Sequence, residues 1–437
     1  MATSRTIVIA GRLIDGTGAP VREQVALIAA GGTIQEVVPA AAARPVPGDV
    51  VVDAAGATVL PGLIDAHIHI QSDGTPGAWA ASVLAESVPS LTFQALDHAR
   101  RALRMGYTAL RDLGCRDYVD VALRDAIEAG EVDGPRLRVS GMALSMSGGH
   151  FAPRVRRDVA IPGYEHCIVN TASEARAGAR YQLAMGADIV KMSTAHSELS
   201  PLTGEVVCHP ELGYDMIAAA VAQARKIGRL TAAHCHGGEG ASDSIRAGVD
   251  SIEHGHWLTE AQFAEMAERG ITYVPTFCPN SEPAELARQG LHQLSAWRQR
   301  CLADKQETFA RAMRSGVKIA AGSDAGFDHV HHGRNARELM FMVEAGMSPL
   351  QAIRAATQVA AEVMGLGERT GTLQPGRWLD AVVVSGDPLA DIRVLQDPAR
   401  IQVVIQGGRL LVDGRGRSET ELARALRAPQ MTDRGAA

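Results

Sequence analysis

Two histidines separated by one residue, His67 and His69 in "LIDAHIHI", can present both imidazoles on one face of a strand and hold a single cation between them. Further along the chain, His234 ends the apolar run "TAAH", His254 ends "SIEH", and Asp324 ends "AAGSD". Each is a metal-ligand type placed where an apolar run stops. Lys191 holds the matching place in "GADIVKMSTAH", and it is one of only four lysines among 43 basic residues. An ammonium beside clustered ligands is repelled by cations and costly to desolvate. If its amine has captured carbon dioxide as a carbamate, it becomes an anionic ligand able to bridge two metals. The alternative is a buried lysine paired with an acid, for which Asp112 is available at the end of "YTALRD".

These residues converge only if the strands carrying them lie side by side with their ends together. Eight apolar runs have that character: "GLIDAHIHI", "YTALRDLG", "RLRVSGMA", "ADIVKMST", "RLTAAHCH", "VDSIEHGH", "ITYVPTF" and "VKIAAGSD". They alternate with helical patterns such as "LTFQALDHARRALRMG", which is the signature of repeated βα units. The expectation is a (β/α)8 TIM barrel over 61–370, whose C-terminal strand ends meet at one active face. Residues 1–60 and 371–420 are short β segments broken by Gly, Pro and Asp, expected to build one small β-sandwich domain from both chain ends. Residues 421–437 are expected to be a tail.

Composition narrows the function. The chain has 437 residues, is 46% hydrophobic and carries a net charge of −6, so a soluble globular protein is expected and a nucleic-acid partner is not. No apolar run approaches the roughly 20 residues needed to span a bilayer, so no membrane partner is expected. The first residues lack the pattern of a signal peptide, and the expectation is a cytoplasmic protein. The six cysteines include no C-x-x-C pair, so neither a disulfide framework nor a zinc knuckle is expected.

With "VLPGLIDAHIHI" and "GSDAG", this arrangement of H-x-H, Lys, His, His and Asp along successive strands resembles the amidohydrolase superfamily over the whole chain. "IVKMSTAH", "TAAHCHG", "SIEHGHWL" and "HGRNARELMFMVEAGMSP" are similar to the imidazolonepropionase-like branch that includes Xaa-Pro dipeptidases and ochratoxinase. The resemblance implies two divalent metals, usually zinc. His67, His69 and Asp324 would hold the more buried one and His234 and His254 the more exposed one, with carboxylated Lys191 bridging them. It further implies that water activated between the metals attacks the scissile carbonyl, and that Asp324 takes its proton and delivers it to the leaving nitrogen. His150, on the glycine loop "SMSGGH", is expected to hydrogen-bond the carbonyl oxygen. His332, Tyr273 and Arg334 are candidate substrate contacts; Arg154, Arg156 and Arg157 could also receive a substrate carboxylate. His236 and His256, two residues beyond the ligands, are expected around the pocket rather than on a metal.

The activity this favours is hydrolysis of an amide bond in an N-acyl amino acid or dipeptide-like small molecule. The alternative is a cyclic-amide hydrolase or deaminase, typically with one metal, and Lys191 separates the two. A barrel that has lost its chemistry is disfavoured because all six ligand positions are filled. Relatives in this branch often form homo-oligomers.

Overall fold

The computed structural model describes residues 5–76, 85–153, 158–159, 161–200, 202–203, 205–281 and 283–415. The expected tail at 421–437, Arg154, Arg156 and Arg157 lie outside these residues.

Strands from both chain ends share one seven-stranded sheet. In chain order they are β1 Arg5–Leu13, β2 Arg22–Ala30, β3 Thr33–Pro39 and β4 Val50–Pro61. Between them and the C-terminal end lie β5 Leu63–Ile68, β6 Tyr107–Asp112, β7 Arg136–Arg138, β8 Ile189–Leu199, β9 Val206–Pro210, β10 Leu230–Gly237, β11 Ser251–Trp257 and β12 Thr272–Val274. The last three are β13 Ala381–Val384, β14 Ile401–Gln406 and β15 Arg409–Asp413. The seven-stranded sheet runs β15-β14-β13-β4-β1-β2-β3. Its alternating apolar residues divide between its faces: Val8, Leu27, Val52, Val383 and Val403 gather in one buried core, Ile7 and Ala26 in a small second one, and Val382, Val384, Ile401 and Val404 join the large core of the rest of the chain.

The middle of the chain is α/β. Strands β5, β6 and β7 pair in parallel, as do β8, β10, β11 and β12. Parallel pairing needs crossover connections, and helices such as Val88–Arg104, Ala172–Ala184 and Glu260–Arg269 provide them. Their ends are set locally. Ser87 and Thr171 cap the first two, and a capping box of Thr259 with Gln262 starts the third, which Gly270 ends at φ +70°. Parallel bridges join the two sets of strands. Leu144 pairs with Met192 on one side, while the segment 319–325 pairs through Ile319 with Tyr273 and through Ala325 with Ile68.

Two expected strands are shorter than their apolar runs. "ITYVPTF" is regular only over Thr272–Val274, because Pro275 offers no N–H and Thr276 adopts φ +49°. "VKIAAGSD" contributes isolated bridges instead of a regular strand, and Asp324 leaves extended geometry at φ +60°. By contrast β8 outruns its expected length and folds back antiparallel on β9.

Candidate active site

Side chains from β5, β8, β10 and β11, from His69 just past β5 and from segment 319–325 come together as a group of six. Lys191 is the third residue of β8 and not at its end, because β8 runs on to Leu199 to pair with β9. His67 is fully buried, and Lys191, His234, His254 and Asp324 are each no more than 5% exposed. One ligand atom from each of His67, His69 and Asp324 lies within 4.8 Å of the others. The Asp324 Oδ1 oxygen is 3.5 Å from His67 Nε2 and 3.2 Å from His69 Nε2. The His254 ring centroid is 4.4 Å from that of His234 and 4.9 Å from that of His67.

Contacts behind these groups orient them. His67 Nδ1 donates to Glu253 Oε2 at 2.9 Å and His69 Nδ1 to the Gly114 carbonyl at 3.1 Å, which turns each Nε2 toward Asp324. His254 Nδ1 pairs with Thr276 Oγ1 at 2.8 Å. His254, Thr276 and Asp324 all have positive φ, at +71°, +49° and +60°. Such conformations cost about 1–3 kcal/mol each in non-glycine residues and collect at functional sites.

Four of the six side chains leave a buried polar atom without a hydrogen-bond partner: His67 Nε2, Lys191 Nζ, His234 Nε2 and Asp324 Oδ1. Each such atom costs about 1–3 kcal/mol or more. Nitrogen lone pairs and carboxylate oxygens left over at one place are the donor set a divalent cation satisfies, so the residues fit a metal group. Asp112 does not serve as the partner of Lys191 in a hydrogen bond. It spends its carboxylate on the amides of Ile70 and Gly114.

Burial and neighbouring charges shift the ionisation of these groups. Burial, reinforced by Lys191, lowers the His67 imidazole to about 4. Burial lowers the Lys191 amine to about 8 against the pull of Glu253 and Asp324. Burial alone would raise Asp324, but His67 and His69 hold it well below the usual carboxylate range. Glu253 likewise overcomes burial through the Arg111 guanidinium, 2.8 Å away, and stays at about 2.

The remaining candidates divide. The His150 ring stacks on His234 at 4.0 Å and keeps an exposed edge, while crowding by protein and the neighbouring His196 push its pKa down. Its backbone N–H donates to Glu211, which also receives His196 Nδ1 at 2.7 Å. His236 and His256 sit beside His234 and His254, held by Ser197 at 2.7 Å and Asn280 at 2.9 Å. Arg334 is exposed in the turn after segment 319–325. Tyr273 corrects its expectation: it is fully buried against Phe263, with its hydroxyl donating to the His254 carbonyl, so it belongs to the core. His332 also differs, because its Nε2 lies against the carbonyls of His69 and Ser72 at 3.2 and 2.9 Å with His98 stacked on the ring. That atom braces the His69 loop instead of meeting a substrate.

Sequence reading missed Glu253, Arg111 and Thr276. Glu253 carried a signal, an acid inside an apolar strand run next to the candidate His254. Thr276 carried none, because its role depends on a backbone conformation.

Residues 58–411 match the amidohydrolase family, and the chain belongs to that family. It is 31% identical over 430 residues to the ochratoxinase of Aspergillus niger, covering 93% of this chain and 86% of that protein. A solved Xaa-Pro dipeptidase with methionine bound in its active site superposes at a TM-score of 0.83 with 32% identity, covering 93% of this chain and 99% of that one. The imidazolonepropionase of Pseudomonas putida is 27% identical over 392 residues, covering 85% of this chain and 90% of its own. The protein is thus a hydrolase acting on amide bonds. No helix among the described residues is long and apolar enough to cross a membrane.

Proposed function

We propose that the protein is a binuclear metal-dependent amidohydrolase that cleaves the amide bond of an N-acyl amino acid or dipeptide-like substrate. In this reading the parallel strands close as a (β/α)8 barrel over 61–370, carrying a β-sandwich built from 1–60 and 371–420. The observation that carries it is Lys191 Nζ, buried and without a hydrogen bond among metal-ligand side chains.

An amine lowered to about 8 is neutral often enough near pH 7 to attack carbon dioxide. A bond forms between Nζ and the carbon, one proton leaves, and the product is an anionic two-oxygen ligand. His67, His69 and Asp324 would hold one cation, His234 and His254 the second, and carboxylated Lys191 both; zinc suits these donors. When bound, such cations supply Lewis acidity, ionising water near neutral pH and polarising a carbonyl.

The chain's own groups do the rest. Asp324, kept ionised by His67 and His69, accepts the proton of the attacking water and hands it to the leaving nitrogen. His150, at the open edge beside His234, donates a hydrogen bond to the carbonyl oxygen as negative charge grows there. In this reading the exposed Arg334 receives a substrate carboxylate. The names of the ochratoxinase and Xaa-Pro dipeptidase relatives support an amide joined to an amino acid. The similarity to imidazolonepropionase supports a second reading, attack on a cyclic amide with a single metal.

Turnover of a panel of N-acyl amino acids, Xaa-Pro dipeptides, ochratoxin-type aryl amides and cyclic amides, with zinc and bicarbonate present, tests the proposal. Cleavage of a linear amide is expected. Turnover of cyclic amides alone would overturn it.

A further inference from the structure

Two buried charges outside the ligand set close on one strained turn. Lys305, on the helix His292–Ser315, is fully buried, and its Nζ donates to the carbonyls of Pro275 at 2.5 Å and Thr276 at 2.7 Å. Glu338, on the helix Arg337–Glu344, is 1% exposed and accepts from the amides of Phe277 at 2.8 Å and Cys278 at 3.0 Å. The cation thus holds the carbonyls on one side of the turn and the anion holds the amides on the other. Between them lies Thr276 at φ +49°, a conformation that a β-branched residue strongly disfavours. An isolated chain would relax out of it. Burying an ammonium and a carboxylate is itself costly, which makes their use on a single turn informative.

What the turn holds is His254. The Thr276 hydroxyl meets His254 Nδ1 at 2.8 Å, and a hydrogen bond at one ring nitrogen fixes which nitrogen carries the proton and how the ring is aimed. In extended geometry the hydroxyl would be carried elsewhere.

We infer that Lys305 and Glu338 are positioning residues: they force the left-handed turn that places Thr276 Oγ1 on His254 Nδ1, and so fix the Nε2 lone pair for the more exposed cation. This rests on the reading of His254 as a ligand.

The test is zinc affinity, read by competition with a chromophoric chelator on the full-length protein. Thr276→Val removes the hydroxyl and keeps the shape, Thr276→Ser restores it, and Lys305→Met and Glu338→Gln remove the clamp. The parent is expected to bind two zinc ions. Thr276→Val and Lys305→Met should weaken the looser one by about 10- to 100-fold and leave the tighter one unchanged, with Thr276→Ser near the parent. A merely structural role would lower Tm without this split between the two ions. Parental affinity in Thr276→Val overturns the inference, and weakening there with parental affinity in folded Lys305→Met and Glu338→Gln overturns the clamp. If Lys305→Met does not fold, Glu338→Gln and the Thr276 pair decide. His254→Ala separates the premise: parental affinity for both ions in that variant removes the ligand reading itself.

Discussion

His67 Nδ1 donates to Glu253 Oε2 across 2.9 Å, and the same carboxylate accepts from Arg111 at 2.8 Å. All three side chains are at most 1% exposed. The His67 imidazole on β5 is therefore aimed by an acid on β11 that is itself anchored by a cation on β6, so the geometry of the proposed site is built across strands.

Replacing Glu253 by Gln should weaken metal binding by about 10- to 100-fold, because the carboxylate no longer fixes the His67 proton on Nδ1. Metal content after dialysis against a chelator reads this directly. Glu253→Ala should in addition cost about 3–5 kcal/mol in urea unfolding, since it leaves Arg111 buried without its partner. Parental metal retention in both variants would contradict the role.

Asp324→Asn should lower kcat by about 10²- to 10⁴-fold, the usual worth of a general acid–base group. Asn tolerates left-handed backbone nearly as well as Asp, so the φ of +60° need not relax and far-UV circular dichroism should match the parent. Near-parental kcat would exclude Asp324 as the proton carrier.

Tyr273→Phe removes a hydroxyl that donates to the His254 carbonyl at 3.1 Å and leaves the ring packed on Phe263. Stability should fall by about 1 kcal/mol with KM unchanged. A raised KM at parental stability would return Tyr273 to the pocket.

His332 gives a pH test. Burial and the stacked His98 push its pKa well below the ordinary 6.5. Below 6.5 the unfolded chain takes a proton at this site and the folded chain does not, so the His332 contribution is lost as pH falls; above 6.5 it is constant. Gln can donate to the same carbonyls without titrating. The stability advantage of the parent over His332→Gln should therefore shrink between about pH 7 and about pH 5, by at most about 1.4 kcal/mol per unit. An advantage that stays level or grows in acid would contradict this.

The proposed ligand set was legible from two simple signals. His67 and His69 sit two apart in sequence at the end of an apolar run, and His234, His254 and Asp324 fall where apolar runs end. The supporting layer was not legible for a matching reason. Glu253 and His254 are consecutive, so strict alternation would put them on opposite faces. Yet both reach His67, and the φ of +71° at His254 breaks the alternation. Arg111 and Glu253 are 142 positions apart and meet only through the strand arrangement. Tyr273 was misplaced because its ring packs on Phe263 of the helix Glu260–Arg269, a contact no local pattern of the run announces. The sheet at the chain ends was legible from its turns and short apolar runs, while the β8–β9 hairpin was not, because "SELSPLTGEVV" has no strict alternation.

The central claim is that Lys191 carries a carbamate in a two-metal site. Carbon-13 NMR of protein reconstituted with zinc and carbon-13 bicarbonate, with zinc counted on the same sample, tests it most directly. The account predicts one carbamate resonance and two zinc ions per chain, with the resonance lost in Lys191→Arg. A single zinc ion and no carbamate signal in the parent would contradict it.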